Sequence, residues 1–274
     1  MKKSLLKKIV AVTIVGVFGV MSIGCSNSTG ESNDKLSEIK EAGKLVVGMS
    51  ADYAPYEYHA LIDGEDKIVG FDVDIAQAIA DDLGVELVLQ EMEFGSLCNA
   101  VKQGKIDMTI SGMTPKEERK EAVDFSDIYY KAEQAFLINS KDKDKYKTLD
   151  DLKGKKIGAQ LGSVQADIAE DIEGADVKLL TEVSTLILEV KNGNLDAVII
   201  EVPVANLAAQ NNPELYVPEN YIEDGEGGSA IGMPKNSPKL VEAVNKTLKK
   251  LMDEGKIDEY VQKAVDQVKY QKTE

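Results

Sequence analysis

The chain is 274 residues long, with 32 basic and 48 acidic side chains, a net charge of −16 and a single histidine. So acidic a chain repels nucleic-acid phosphates and anionic lipid, and one histidine with two cysteines offers no zinc site. The length that remains after a short leader suits one large domain or two of ordinary size.

The leader comes first in chain order. Lys2, Lys3, Lys7 and Lys8 precede an apolar run from Ile9 to Val20, and small residues lead on to Cys25. A basic start, a short apolar stretch and small residues before a break describe a secretory signal over residues 1–24. The run is too short and Gly-rich to span a membrane, which takes about 20 apolar residues. Ser22-Ile23-Gly24-Cys25 resembles a bacterial lipoprotein lipobox, with Ser22 where an aliphatic residue is usual, and the small polar residues 26–34 suit a flexible tether. Cys25 is therefore the expected lipidation site, and the chain is expected to sit outside the cell, held to the membrane by lipid. Removal of the leader takes four lysines with it and leaves a net charge of −20. Cys98 then has no partner, so no disulfide framework is expected. It lies in an apolar helical stretch and reads as a buried thiol.

Beyond the tether, strand-like and helix-like segments alternate. Leu45 to Met49 is a short apolar strand. Phe71, Ile75, Ile79 and Leu83 recur at helical spacing, with Asp72 at the start and Gly84 just past the end. Val85 to Leu89 reads as a strand, Leu97 to Lys102 as a helix and Ile106 to Ile110 as a third strand, an order that implies a wound, mainly parallel sheet. A second set follows: a strand over Lys156 to Ala159, a helix over Val164 to Asp171, a strand over Val177 to Leu180, a helix over Ser184 to Lys191 and a strand over Leu195 to Ile200. Val101-Lys102-Gln103-Gly104-Lys105-Ile106-Asp107 is echoed by Val190-Lys191-Asn192-Gly193-Asn194-Leu195-Asp196, which suggests two like lobes. Lys141 to Lys147 is a charge run expected to be solvated. Gly225 to Ser229 is a flexible break before a strand-like Ala230 to Met233, and two helices close the chain. Residues 130–134 and 225–229 are the expected paired crossings between a lobe of 36–129 plus 230–270 and a lobe of 134–225.

In wound sheets ligands sit beyond the carboxyl ends of strands. Ser111 to Arg119 follows the third strand, and Arg119 is the only arginine among 32 basic residues. Its flat fork can grip a carboxylate with two parallel bonds, although a surface pairing with Glu118 or Asp124 fits the spacing equally well. Glu201 ends an apolar strand, where a carboxylate is unusual unless paired. It suits a ligand ammonium, a helix start or a lysine. The turn Gln160-Leu161-Gly162-Ser163-Val164 puts helix N–H groups where an anionic oxygen can be received. Tyr53 and Phe94 both follow strands and can wall a planar side chain. Together these groups fit an α-amino acid held as a zwitterion.

The chain is similar to the polar amino-acid-binding proteins of ABC importers (solute-binding protein family 3) over nearly all of residues 36–268. The resemblance rests on Lys44-Leu45-Val46-Val47-Gly48, Ala54-Pro55-Tyr56-Glu57-Tyr58, residues 69–76, residues 112–119, residues 123–130, residues 152–158 and residues 196–201, in that order. It implies two α/β lobes joined by two hinge strands, a periplasmic-binding-protein-like fold of type II. It also implies that Arg119 and Thr114 hold the ligand carboxylate, with the turn at Ser163-Val164 assisting. Glu201 stands where the family has an acid for the α-ammonium, assisted by the carbonyl of Gly112. Tyr53 and Phe94 match its stacking aromatics, Gln160 a position that reads the side chain, and Ser50 departs from members that place Asp there. The implied ligand is a free L-amino acid, basic or amide, and the implied partner is an ABC permease. No cofactor, metal or nucleic acid is expected, and the protein is expected to act as a monomer. A competing expectation is an exported enzyme on the same scaffold, such as a cyclohexadienyl dehydratase, for which no acid–base residue stands out. A receptor-kinase sensor domain is a third, disfavoured because the chain ends at Glu274 with no second apolar span.

Overall fold

The computed structural model describes residues 34–131, 133–222 and 227–271. The expected leader and Cys25 lie outside the described residues. The chain begins with α1 (Lys35–Ala42), capped by the Asp34 carboxylate, which accepts from the Ser37 N–H at 3.1 Å. Next comes β1 (Lys44–Met49), whose Leu45, Val47 and Met49 are fully buried. An antiparallel meander of β2 (Asp52–Tyr53), β3 (Glu57–Ile62) and β4 (Glu65–Val69) follows. Helix α2 (Phe71–Leu83) then buries Phe71, Ile75 and Ile79, one stripe at helical spacing. Gly84 ends it in the left-handed region, φ 73°, which glycine takes without strain.

The first lobe continues with β5 (Glu86–Glu91), α3 (Leu97–Lys102), β6 (Met108–Thr109), α4 (Glu117–Ala122) and β7 (Val123–Phe125). The second lobe holds β8 (Gln134–Asn139), β9 (Lys156–Gln160), α5 (Val164–Glu170), β10 (Asp176–Leu180), α6 (Val183–Lys191), β11 (Ala197–Glu201), α7 (Val202–Asn211) and β12 (Leu215–Tyr216). The chain returns through β13 (Gly232–Pro234) and ends on α8 (Pro238–Asp253) and α9 (Lys256–Gln267), both packed on α2.

The two five-stranded sheets share one plan, β5-β1-β6-β13-β7 and β10-β9-β11-β8-β12. In each, three parallel strands are followed by one that runs against them, and the fifth, antiparallel to that one, runs with the first three. The reversed strand is the one that has just come across, β8 in the second lobe and β13 in the first. A crossing chain enters from the other lobe, so it runs against the strands already there. That is why each sheet, mainly parallel as expected, carries one reversed strand. The crossings themselves pair: Tyr130 with Ser229, and Gln134 with Ile222.

Three expectations change. The meander β2–β4 was not legible, because its strands are short and only partly covered. Residues 134–139, read only as a connector, form β8, buried over Gln134 to Ile138. The charge run 141–147 is not wholly solvated: Tyr146 is buried and donates to an Asp196 carboxylate oxygen at 3.0 Å.

Candidate ligand-binding site

A small cavity of about 10 Å³, room for about one water, lies between the lobes, lined by Ser50, Tyr53, Glu57, Phe94, Ser111, Gly112, Gln160 and Gln165. The first six come from the first lobe: Ser50, Phe94, Ser111 and Gly112 follow its strands, and Tyr53 and Glu57 lie in β2 and β3. The other two come from the end of β9 and the first turn of α5. Five of the expected residues, Ser50, Tyr53, Phe94, Gly112 and Gln160, are therefore in the lining.

Arg119 and Glu201 stand just behind it. Arg119 is held in α4 with its guanidinium carbon 5.2 Å from the centre of the Phe94 ring. It donates from Nη1 to the Thr114 carbonyl at 2.6 Å and from Nη2 to the Gly162 carbonyl at 2.8 Å. The second bond crosses from one lobe to the other. Two of the five N–H donors of an arginine are thus engaged, by carbonyls rather than by Glu118 or Asp124, and burial pushes the guanidinium pKa down. Glu201 is 3 % exposed at the end of β11. Its carboxylate accepts from the Tyr56 hydroxyl. Its main-chain N–H donates to the Tyr53 hydroxyl at 3.0 Å.

The turn before α5 is built tightly. The Ser163 hydroxyl donates to the Gln160 carbonyl at 2.7 Å and accepts from the Ala166 N–H at 3.1 Å, so this side chain serves as the helix cap. Val164 is the first helical residue and half-buried. The Gln160 side chain donates to the Thr181 carbonyl at 3.0 Å, which fixes its amide at the cavity wall. Gly162 has φ +80°, and a Cβ there would lie 3.2 Å from the Gly95 Cα, so the lobes meet backbone to backbone at this point.

The structure adds acids that sequence reasoning missed. Glu57 is fully buried and accepts from the Ser111 hydroxyl at 2.5 Å. Asp72 was read as a helix-start signal, yet it caps nothing in its own helix. It turns inward instead, accepting from the Gly112 N–H at 2.8 Å and from the Tyr129 hydroxyl at 2.8 and 2.9 Å. Burial pushes Asp72 up to about 6, the Gly112 and Tyr129 donors limiting the rise. Burial, with Asp72 and Asp52 alongside, pushes Glu57 well above the usual carboxylate range. Asp52 accepts from the Val183 N–H at the start of α6, another link between the lobes. Burial and the nearby Glu182 push it up to about 7 against that bond. Lys116 forms an ion pair with Asp167, again across the cleft. Glu57 and Ser111 sat inside or beside matched segments. What was missing was any signal that their side chains turn inward, since adjacent residues at a strand end do not follow simple alternation.

The model of the bacterial extracellular solute-binding proteins, family 3, matches residues 45–267. The arginine-binding extracellular protein ArtP of Bacillus subtilis is 40% identical over 269 residues, covering 96% of this chain and 98% of that one. Among solved structures, an amino-acid ABC transporter substrate-binding protein from Streptococcus pneumoniae, bound to L-arginine, superposes with a TM-score of 0.82 at 39% identity, covering 85% of this chain and 98% of that chain. An ancestral amino-acid-binding protein, described as a precursor of cyclohexadienyl dehydratase, superposes with a TM-score of 0.77 at 31% identity, covering 85% of this chain and 100% of its own.

Proposed function

The chain belongs to the bacterial extracellular solute-binding proteins of family 3, and from that premise we propose that it captures one basic L-amino acid between its lobes and delivers it to an ABC permease. One observation carries the reading. Arg119, from the first lobe, lies against Phe94, and Glu201, from the second, is bonded through its main-chain N–H to Tyr53, two residues that line the same cavity. In this reading Arg119 takes the ligand carboxylate with Thr114 and the Ser163-Val164 turn beside it. Glu201 takes the α-ammonium with the Gly112 carbonyl. Tyr53 and Phe94 flank the side chain, which Gln160 and Ser50 meet further in. The spare guanidinium donors support the first role, because a bidentate carboxylate needs two of them.

In this proposal residues 130–134 and 225–229, of which 132, 225 and 226 lie outside the described residues, are the hinge between lobes of 36–129 plus 230–270 and 134–225. A ligand that touches both lobes favours the closed arrangement only through contacts that the open one lacks. A shift from mostly open to mostly closed takes about 5 kcal/mol of such difference, a size that one bidentate charged pair and one buried ammonium contact supply in good part. The protein works outside the cell as a monomer, tethered by a lipid on Cys25.

Calorimetry against the twenty amino acids and cystine tests the proposal. Tight, one-to-one binding of arginine, with lysine, histidine or glutamine weaker, is the expected result; selective binding of an acidic or aliphatic amino acid refutes it. The likeness to a dehydratase precursor keeps one second reading in play, an exported enzyme on this scaffold. Turnover of prephenate or arogenate decides it.

A further inference from the structure

Tyr56 is not in the cavity lining and has no exposed surface. Its hydroxyl nevertheless crosses from the first lobe to the second and donates to Glu201 Oε2. The main chain around it is clamped. The Tyr56 N–H donates to the Tyr53 carbonyl at 2.8 Å, and its carbonyl accepts from the Asp72 N–H at the start of α2 at 3.0 Å. Gly70 passes so close that a Cβ there would run into that carbonyl. The ring is wedged among Tyr53, Phe71 and Tyr130, whose ring centres lie 5.3, 4.4 and 5.7 Å away. A ring packed in this way has no room to swing, so its hydroxyl stands at a fixed point. Burial and the Glu201 charge push the phenol pKa well above its ordinary value, so it stays protonated and donates.

Glu201 occupies the N-cap position of α7, but its side chain does not cap that helix. A glutamate carboxylate sits on a long, rotamer-rich stem. Unless it is aimed beforehand, binding must order it, and affinity suffers. We infer that Tyr56 is the positioning residue for the ammonium end of the site: its hydroxyl aims the Glu201 carboxylate at the ligand's α-ammonium as the lobes close. The inference rests on the amino-acid-binding reading and adds to it a residue that acts through another, without touching the ligand. Two phenols of one short segment divide the task. The Tyr53 hydroxyl accepts the Glu201 main-chain N–H at 3.0 Å, and the Tyr56 hydroxyl holds the Glu201 side chain. One lobe thus fixes both the backbone and the carboxylate of a residue in the other. A carboxylate accepts at about four lone-pair positions, so phenol and ammonium share it without displacing each other. Both phenol bonds cross the cleft, so the acid is aimed in the closed arrangement, the one that a ligand favours by touching both lobes.

The experiment compares the wild-type protein with Tyr56→Phe, which keeps the ring and removes the hydroxyl. Calorimetry, by displacement where binding is weak, reads the affinity for L-arginine and for 5-guanidinopentanoate, which is arginine without its α-amino group. Tyr56→Phe should melt cooperatively and bind L-arginine about tenfold more weakly. 5-Guanidinopentanoate brings no ammonium to Glu201, and its affinity for the two proteins should agree within about twofold. In a Glu201→Gln background, Tyr56→Phe should weaken arginine binding by no more than about twofold, whereas a side chain that only filled space would show its full effect in either background. Equal loss for the two ligands, unchanged or tighter arginine binding by Tyr56→Phe, or an undiminished loss in the Glu201→Gln background would overturn the inference while leaving amino-acid binding intact. Failure of the wild-type protein to bind arginine would remove both readings together.

Discussion

The Tyr53 hydroxyl of the first lobe accepts the main-chain N–H of Glu201 in the second, at 3.0 Å, with both residues buried. The bond ties an aromatic wall of the cavity to the strand end that presents the acid. It also satisfies a buried main-chain N–H at the end of β11. Tyr53→Phe keeps the ring and removes only the acceptor. The expected cost is about 1–3 kcal/mol, that of an orphaned buried donor, read from urea unfolding. An unchanged midpoint would mean that this N–H has another partner.

Arg119→Lys tests the fork. Lysine keeps the charge but cannot form two parallel bonds or lie flat on Phe94. Affinity for the amino acid should fall at least tenfold, with the unfolding transition still cooperative. Unaltered binding would remove Arg119 from the carboxylate end.

Gly162→Ala tests the backbone contact of the lobes. At φ +80° an alanine costs about 1–2 kcal/mol, and its methyl would lie 3.2 Å from the Gly95 Cα. The lobes can relieve that crowding only by parting. The expected result is a larger radius of gyration with saturating ligand, and affinity weaker by about tenfold. Wild-type compaction on binding would show that the turn yields instead.

The Asp52 link should make stability depend on pH, with a sign opposite to that of an ordinary salt-bridged acid. Its carboxyl is pushed from 3.8 up to about 7 in the folded chain. The folded protein therefore binds this proton more strongly than the unfolded one, and stability falls as pH rises from about 4 to about 7, then levels. Asp52→Asn cannot ionise and loses this contribution, and it also removes one of the acids that push Glu57 up, a change of the same sign. Between pH 5 and pH 8 the wild-type Tm should drop by about 5 °C more than that of the variant. Parallel curves would show that Asp52 does not titrate in that range.

Much of the fold was legible because it depends on local signals. The stripe Phe71, Ile75, Ile79 and the stop at Gly84 fix α2 from sequence alone, and apolar runs mark β1 and β11. The antiparallel β8 and β13 were not legible as such, since direction in a sheet is set by where the chain enters. The site divides the same way. Arg119, Tyr53 and Phe94 stand out as uncommon residue types near strand ends, and Glu201 as a carboxylate that closes an apolar strand. Glu57 and Asp72 do not, because an acid beside a strand or in a first helical turn is ordinary on a surface. Only the packing of Tyr129, Gly112 and Ser111 around them shows that they are inside.

The position of β13 between β6 and β7 has a bearing on biosynthesis. As the chain leaves the ribosome and crosses the membrane, the sheet begun first must wait for a strand made about a hundred residues later. The sheet begun second has all five of its strands by Tyr216. Export thus delivers a finished half and an unfinished one, and the half whose gap stays open longest is the one that carries the arginine.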